Sequence, residues 1–176
     1  MDSKTLASAM NIPIARAEKW ADAITAGMAA GKIVTRLAVA AFLAQIGHES
    51  GGLVYTKEIG GASYFSRYEG REDLGNTQPG DGAKFCGRGL IQVTGRANYR
   101  RCSAALFGDE RLLATPDLLE KPEHAVRSAV WYWTKHNLNA LADADRFTDL
   151  TRAINGGTNG LADRKERYKL ALSVLK

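Results

Sequence analysis

The sequence predicts a mainly α-helical single domain, residues 1–176, that carries one long glycine-rich excursion. Apolar residues recur at helical spacing along most of the chain, whereas ten of the 18 glycines fall within residues 51–89. A chain of 176 residues can bury a core without disulfides or a structural metal. We expect residues 1–34 to form N-terminal helices that pack on the core built by residues 35–176.

The helical periodicity falls into separate segments. Residues 2–31 predict two helical pieces with a break at Pro13. Residues 35–50 make the strongest helix, with Thr35 as its N-cap, and its nearly continuous apolar surface is typical of a helix buried in the middle of a domain. Further helices are predicted at residues 90–106, 122–137, 146–154 and 161–175.

The excursion, residues 51–89, is predicted to form loops with short strand pieces, such as a small β-hairpin. A loop segment of this length is uncommon in a compact domain and is usually functional or disordered. Its five aromatic residues argue against disorder. We therefore expect the excursion to form the wall of a cleft.

The chain is basic, with a formal net charge of +5 and a pI of about 9.3. This balance favours an anionic partner and leaves nucleic acid, anionic lipid and the acidic polymers of a bacterial envelope open. No nucleic-acid-binding motif is evident, and no apolar run approaches the roughly 18 residues of a membrane span. The two cysteines and three histidines lack ligand spacing, so we expect no metal or other cofactor.

The segment AQIGHESGG, residues 44–52, places Glu49 at the last turn of the strongest helix and at the margin of its apolar stripe. Desolvation and the helix dipole would both raise the pKa of such a carboxyl, which suits a general acid. Two glycines follow and leave room for a substrate. The alternative is a surface glutamate on a fraying helix end. His48 points away from the stripe and is expected to be structural.

Glycoside hydrolysis generally needs a second carboxylate. Glu58 lies nine residues after Glu49, across a glycine turn, which is far enough to face back across a cleft. Glu69 stands between two arginines, so ion pairing is its expected role. Asp81, in QPGDG, is expected to be a turn residue.

The segment FCGRGLIQVTGRANY, residues 85–99, supplies uncharged donors and acceptors at Gln92, Thr94 and Asn98. Such groups suit sugar hydroxyls, N-acetyl groups or a held water, but they could equally stitch the loop to the core. A phosphate cradle is disfavoured because the Walker spacing and its Lys-Ser/Thr end are missing.

Together with LTRAINGGTNGLADR near the C-terminal end, these segments resemble the signature regions of glycoside hydrolase family 19. The family contains plant-type chitinases and many phage endolysins. The resemblance covers the chain from about residue 37 onward and implies an α-rich, lysozyme-like fold. The compact length and the run from DLGN to GRGLIQVTG look more like the phage and prophage endolysin branch.

The resemblance also implies roles for individual residues. Glu49 would be the general acid of an inverting mechanism, Glu58 would be the base that activates a water, and Thr94 would help to hold that water. Glu69 is the reserve candidate for the base. Substrate contacts are implied for four residues: Gln92, Asn98, Asn155 and Arg164. Asn155 could instead cap a helix or hold a turn, and Arg164 could serve only to brace the acid.

We therefore expect an endolysin that cuts the bonds between N-acetylmuramic acid and N-acetylglucosamine in bacterial peptidoglycan and so lyses the host cell. The expected protein is a monomer without stable membrane insertion. It would stay in the host cytoplasm until a pore-forming protein releases it to the wall. One alternative is a chitinase on the same scaffold. Another is a non-catalytic protein that binds wall polymer or nucleic acid through its charge.

Overall fold

The computed structural model describes all 176 residues and consists mostly of α-helices, with no extended strand. This confirms the predicted fold class. The chain forms two compact units, one of residues 1–54 with 132–176 and one of residues 55–131. The helices are α1 (Ser3–Met10), α2 (Ile14–Ala30), α3 (Arg36–Glu49), α4 (Ala62–Phe65), α5 (Asp81–Lys84), α6 (Arg96–Phe107), α7 (Arg111–Ala114), α8 (Pro122–Lys135), α9 (Leu138–Asp143), α10 (Phe147–Asn155) and α11 (Leu161–Val174).

The first unit is built around α3, which packs against α1, α9 and α11. Nine of its 14 residues are buried, five of them small, so neighbouring helices can approach closely. Thr35 begins the helix as predicted, because its Oγ1 accepts a hydrogen bond from the Ala38 amide at 3.1 Å. The break between α1 and α2 also falls at Pro13, preceded by Asn11 in the left-handed conformation.

The second unit has its own apolar core between α6, α7 and the turns around them. Its buried members are Phe85, Val93, Tyr99, Cys102, Leu112 and Leu119. Helix α6 begins at Arg96 rather than near residue 90, because residues 90–95 form a turn in which Gln92 and Gly95 have positive φ. The sequence periodicity also missed α7 and α9, which have only four and six residues.

The excursion contains no β-hairpin. Its only β-type pairings are isolated antiparallel bridges from Arg88 to Lys57 and to Val93. Short helices and 3-10 turns fill the rest of the segment, and buried polar groups hold them together. Asn76 is wholly buried, donates to the Tyr68 carbonyl at 2.9 Å and accepts from the Arg96 amide at 2.8 Å. Side-chain-to-backbone bonds of this kind replace the sheet ladder that we expected.

Two carboxylates of the excursion differ from their expected roles. Asp81 is not a simple turn residue, because it is buried and takes two hydrogen bonds from Arg96 at 2.7 and 2.5 Å. These bonds lower the pKa of Asp81, and they outweigh the opposing effect of its burial. Glu69 makes no ion pair with its neighbouring arginines. It accepts the Gly80 and Gly82 amides at 2.5 and 2.8 Å and thereby holds the start of α5.

None of the eleven helices combines the length and the hydrophobicity that a membrane-spanning helix needs. The two cysteines, Cys86 and Cys102, are both buried and unbridged. Burial raises the pKa of the Cys102 thiol to about 12, so this side chain is an inert part of the core. No three histidine, cysteine or acidic side chains come together as a metal site.

Candidate active site

Glu49 is the last residue of α3, and its carboxyl is fixed by an ion pair to α11. Arg164 Nη2 donates to Glu49 Oε1 at 2.6 Å, and the second oxygen, Oε2, accepts no hydrogen bond from the protein. The Glu49 side chain is 20% exposed, whereas that of Arg164 is 2% exposed. Glu49 is therefore neither fraying nor fully buried. One oxygen is held and the other is free to meet a ligand.

Each nitrogen of the Arg164 guanidinium has one hydrogen-bond partner. Its Nη1 donates to Gln45 Oε1 at 2.5 Å, and its Nε donates to the Asn159 carbonyl at 3.3 Å. Gln45 Nε2 in turn donates to Thr151 Oγ1 at 2.9 Å. A buried network in which every guanidinium nitrogen is hydrogen-bonded has few alternative arrangements, so it fixes the position of the Glu49 carboxyl.

The turn after α3 explains the residues ESGG. Gly51, Gly52 and Leu53 have φ of 59°, 72° and 65°, a left-handed run that favours glycine. Ser50 Oγ stabilises the turn by donating to the Ile46 carbonyl at 2.6 Å and accepting the Leu53 amide at 2.8 Å. The two glycines thus serve the backbone of the turn itself.

His48 has the structural role that the sequence predicted. Its Nδ1 lies 2.6 Å from Asp163 Oδ2, and Asp163 also accepts from Arg167 Nε at 2.7 Å. Gly160 packs so close to the imidazole that a Cβ there would overlap the ring. The histidine is therefore locked between α3 and α11 and acts as part of the scaffold beside Glu49.

Two further groups lie in the same unit. The Tyr132 hydroxyl donates to the Ala153 carbonyl at 2.9 Å, and its pKa is raised by burial and by the negative charge of Glu49. Asn155 ends α10, and its Nδ2 is buried without a hydrogen-bond partner. Because buried donors are rarely left unpaired, this amide is suited to binding a ligand.

In the second unit, Glu58 is surrounded by hydrogen-bond donors. Its Oε1 accepts from the Tyr64 hydroxyl at 3.0 Å, the Tyr68 hydroxyl at 2.9 Å and Arg67 Nη2 at 2.8 Å. Its Oε2 accepts from the Gly87 amide at 3.1 Å. The guanidinium also lies over the Tyr64 ring, 3.7 Å from its centroid.

These donors decide the charge of Glu58. Burial alone would raise its pKa, but the amide of Gly87, the two phenols and the charge of Arg67 together bring the pKa below the ordinary value. The side chain is 17% exposed, so the carboxylate keeps contact with solvent. Glu58 is thus set up to be ionised at neutral pH, as a general base must be.

The GRG loop that contacts Glu58 is braced by Arg88. Its side chain is 4% exposed and binds Glu120 at 2.9 Å, Asp117 at 2.8 Å and the Tyr99 hydroxyl at 3.0 Å. Burial opposes the charge, but these partners overcome that effect and raise the pKa of Arg88. A Cβ on Gly89 would meet Ser128 Oγ, so this position requires glycine. Arg88 is structural and does not face a ligand.

The three polar residues after this loop form one chain of hydrogen bonds. Asn98 Nδ2 donates to the Thr94 carbonyl at 2.8 Å, Thr94 Oγ1 donates to the Gln92 carbonyl at 3.0 Å, and Gln92 Nε2 donates to the Gly89 carbonyl at 3.0 Å. These side chains therefore stabilise the loop by bonding to its backbone carbonyls. The side-chain oxygen of Gln92, Oε1, accepts no hydrogen bond from the protein, and Thr94 Oγ1 keeps its acceptor capacity, so both atoms can still meet a ligand.

The structure brings together some of the predicted site residues and adds others that the sequence did not predict. Arg164 is only 2% exposed and pairs with Glu49, so it braces that carboxyl and does not make the substrate contact that the resemblance implied. Glu69 makes no contact with the donors around Glu58. Gln45 and the Tyr64–Arg67–Tyr68 cluster were not anticipated. The spacing of that cluster, with aromatic residues three before and one after an arginine on a single turn, was a signal that could have indicated it.

Comparison with known proteins decides the family. The family model described as chitinase class I, of glycoside hydrolase family 19, matches residues 8–145. The chain belongs to glycoside hydrolase family 19. The match begins well before residue 37, so most of the N-terminal helical region is shared with the family.

Relatives in other organisms agree with this assignment. A glycosyl hydrolase family 19 domain-containing protein of Haemophilus influenzae is 33% identical over an alignment 175 residues long, which covers 84% of each chain. An endochitinase of Arabidopsis thaliana is 37% identical over 125 residues, 70% of this chain but 41% of its own. The chain thus spans less than half the length of that plant relative.

Solved structures of family 19 chitinases share the fold. Chitinase C from Streptomyces griseus HUT6037 superposes with a TM-score of 0.77 at 27% identity, covering 98% of this chain and 91% of that one. A bacterial family 19 chitinase, described as differing from the plant enzymes, gives a TM-score of 0.69 at 28% identity, covering 87% of this chain and 84% of its own. This chain is a chitinase-family glycoside hydrolase.

Proposed function

We propose that this glycosidase hydrolyses the β-1,4 bonds between N-acetylmuramic acid and N-acetylglucosamine in bacterial peptidoglycan, as a phage or prophage endolysin. The observation that carries the chemistry is the contrast between two carboxyls. Glu49 is held at one oxygen only, whereas Glu58 is surrounded by four donors that keep it ionised. An inverting glycosidase needs this division between a proton donor and a base.

Glu49 is proposed as the acid. Arg164 holds Oε1, so a proton on the unbonded Oε2 is the one available to the glycosidic oxygen as the bond breaks. The buried network behind Arg164 keeps the carboxyl in one orientation, which lowers the entropic cost of reaching the transition state. Asn155, with its unpaired Nδ2, would bind a sugar substituent in the same unit.

Glu58 is proposed as the base. Its ionised carboxylate would take one proton from a water whose oxygen attacks the anomeric carbon. The Thr94 oxygen would accept a hydrogen bond from the water's other O–H, which remains in the product as the anomeric hydroxyl. Gln92 and Asn98 would keep the Thr94 segment in place through their hydrogen bonds to backbone carbonyls. Glu69 remains the reserve candidate, because its two oxygens bind the Gly80 and Gly82 amides at the start of α5 and it contacts none of the donors around Glu58.

The positive net charge of the chain favours peptidoglycan over chitin as the substrate. The chain carries a net charge of +5, and peptidoglycan bears lactyl and peptide carboxylates that chitin lacks. The alternative is a chitinase, which is favoured by the names of the plant endochitinases and of chitinase C. In the endolysin role the enzyme would remain in the host cytoplasm until a separate pore-forming protein opened a path to the wall.

The test uses two substrates and four proteins. Purified peptidoglycan and a soluble chitin hexasaccharide are each incubated with wild type, Glu49→Gln, Glu58→Gln and Glu166→Gln, the last being an exposed control on α11. Mass spectrometry of the new reducing ends identifies the bond that is cut, and NMR of the first-formed anomer reports inversion.

The proposal expects muramic acid at the new reducing ends, with both site variants at least 100-fold slower and the control unchanged. Cleavage of the hexasaccharide alone would establish the chitinase alternative instead. Full activity of a folded Glu49→Gln would refute its assignment as the acid. Polymer binding without any product from wild type would favour the non-catalytic alternative.

A further inference from the structure

A cavity of about 550 Å³ lies between the start of α10 and the middle of α11. None of the predicted site residues lines it. Its walls come from residues 145–149 and from Lys165, Tyr168, Lys169 and Leu172 of α11. Cavities of roughly 300–1,000 Å³ are typical of sites for small ligands, and a disaccharide is of that scale.

One wall of this α10–α11 cavity is a fixed aromatic pair. The rings of Phe147 and Tyr168 stack at 14°, with 4.4 Å between their centroids, and only 6% and 8% of these residues are exposed. The Tyr168 hydroxyl donates to Asp145 Oδ1 at 3.0 Å. Burial and this carboxylate raise the pKa of Tyr168 to about 12, so the hydroxyl keeps its proton and the pair stays in place. A rigid apolar wall suits the C–H face of a sugar ring.

The charges around the cavity are not balanced internally. Arg146 is already paired with Asp149 at 2.9 Å. Lys165 and Lys169 lie one turn apart on α11, are exposed and make no ion pair. The Thr148 hydroxyl has no hydrogen-bond partner in the protein. Asp145 also lines the cavity and makes no ion pair, its carboxylate accepting only the Tyr168 hydroxyl. The groups without a charged partner are therefore two ammonium ions, one carboxylate and one hydroxyl, with a net charge of about +1.

We propose that the α10–α11 cavity is a second, non-catalytic glycan site that binds a carboxylate-bearing saccharide of peptidoglycan. The lysines would pair with a lactyl or peptide carboxylate, and the aromatic wall and Thr148 would contact the sugar. The choice of peptidoglycan rests on the proposed function, but the site requires no hydrolysis. It would hold the enzyme on its polymer between cuts.

Binding is measured apart from cleavage. The Glu49→Gln protein is co-sedimented with purified Gram-negative sacculi, alone and with Lys165→Ala and Lys169→Ala added. The matched control adds Lys4→Ala and Lys19→Ala, which remove the same charge from exposed positions on α1 and α2. Surface ion pairs of this kind predict about five- to tenfold weaker binding for the α11 pair and less than twofold for the control.

Three outcomes bear on the site. The site is supported if only the substitutions at Lys165 and Lys169 weaken binding to sacculi. In that case the amide NMR signals of Thr148, Lys165 and Lys169 should also shift when a soluble disaccharide-peptide is added. Equal weakening by both lysine pairs would overturn it, because binding would then reflect net charge alone. Equally strong shifts with neutral chitobiose would overturn the carboxylate requirement.

Hydrolysis separates this proposal from the preceding one. The lysine substitutions in an otherwise wild-type enzyme should leave the cleavage rate of a soluble chitin hexasaccharide unchanged, since no lysine is proposed to touch the reacting bond. If wild type cleaves no substrate, the proposed function fails. The binding difference between the two lysine pairs still decides the site.

Discussion

The ion pair between Glu49 and Arg164 makes a quantitative prediction about stability. Glu49→Ala removes the carboxylate that accepts the 2.6 Å hydrogen bond and leaves a guanidinium, 2% exposed, with neutral acceptors only. Breaking a fully buried pair costs about 3–5 kcal/mol. Because Glu49 is 20% exposed, water can partly replace the carboxylate, and we expect a loss of about 2–3 kcal/mol.

Two further variants make the comparison specific. Glu49→Gln keeps an oxygen acceptor and removes the charge, so we expect it to cost about 1 kcal/mol. Glu166→Ala removes an exposed glutamate of α11 that makes no ion pair, and it should cost less than about 0.5 kcal/mol. The free energy of unfolding should therefore fall most in Glu49→Ala, less in Glu49→Gln and least in Glu166→Ala.

Urea denaturation followed by circular dichroism at neutral pH measures these free energies. For a chain of this size, the loss in Glu49→Ala corresponds to a Tm lower by about 4–12 °C. A double variant, Glu49→Ala with Arg164→Leu, should recover part of the loss because it removes the stranded charge. If Glu49→Ala unfolds at the wild-type urea concentration with an unchanged slope, the reasoning from burial is refuted.

Three other changes follow from the same structure. Tyr68→Phe removes one hydrogen-bond donor to Glu58, so the pKa of Glu58 should rise. In a pH profile of kcat/KM, the activity on the acid side should then fall about fivefold, and the alkaline side should not change. Gly160→Ala, at φ 69° and against the His48 ring, should lower the free energy of unfolding by about 1–3 kcal/mol in urea. Asp81→Asn should destabilise the fold at neutral pH, because a carboxylate whose pKa is lowered on folding stabilises the folded state at pH values above its unfolded pKa. The destabilisation should shrink as the pH falls below the unfolded value of about 3.9 and disappear below the lowered folded value.

Each of these has a control within the chain. Tyr55→Phe, at an exposed tyrosine that is not bonded to Glu58, should leave the pH profile in place, and an equal shift there would contradict the hydrogen-bond argument. Gly156→Ala has φ 71° and open space around its Cβ, so it should cost less than the change at Gly160. For Asp81→Asn, an equal difference from wild type in the free energy of unfolding at acidic and at neutral pH would contradict the expected pH dependence.

The sequence predicted α3 well because its signals are local. A threonine cap, an alanine-rich apolar run and two terminal glycines all act within a few residues, and the structure places the helix at Arg36–Glu49. The same local reasoning found Pro13 and the end of α10. Long, strongly patterned elements are predictable because each residue in them favours the same conformation.

The excursion was harder to predict because its order comes from distant polar contacts. Asn76 binds Arg96, 20 positions away, and Glu58 binds the Gly87 amide, 29 positions away. No periodicity records such pairs, so short helices were mistaken for strand pieces and the carboxylate of Asp81 for a turn residue. The pairing of Glu49 with Arg164 was only an alternative to the substrate contact that the family motifs implied, since a separation of 115 positions is invisible to local patterns.

The position of Arg164 in α11 has a consequence for synthesis. During translation, Gln45 and Glu49 emerge more than 100 residues before the guanidinium that binds both of them. Until α11 leaves the ribosome, two polar side chains of the central helix have no permanent counterpart. The proposed acid is therefore oriented only after α11 has been synthesised, and a chain that stops short of α11 would have its glutamate in place but no arginine to orient it.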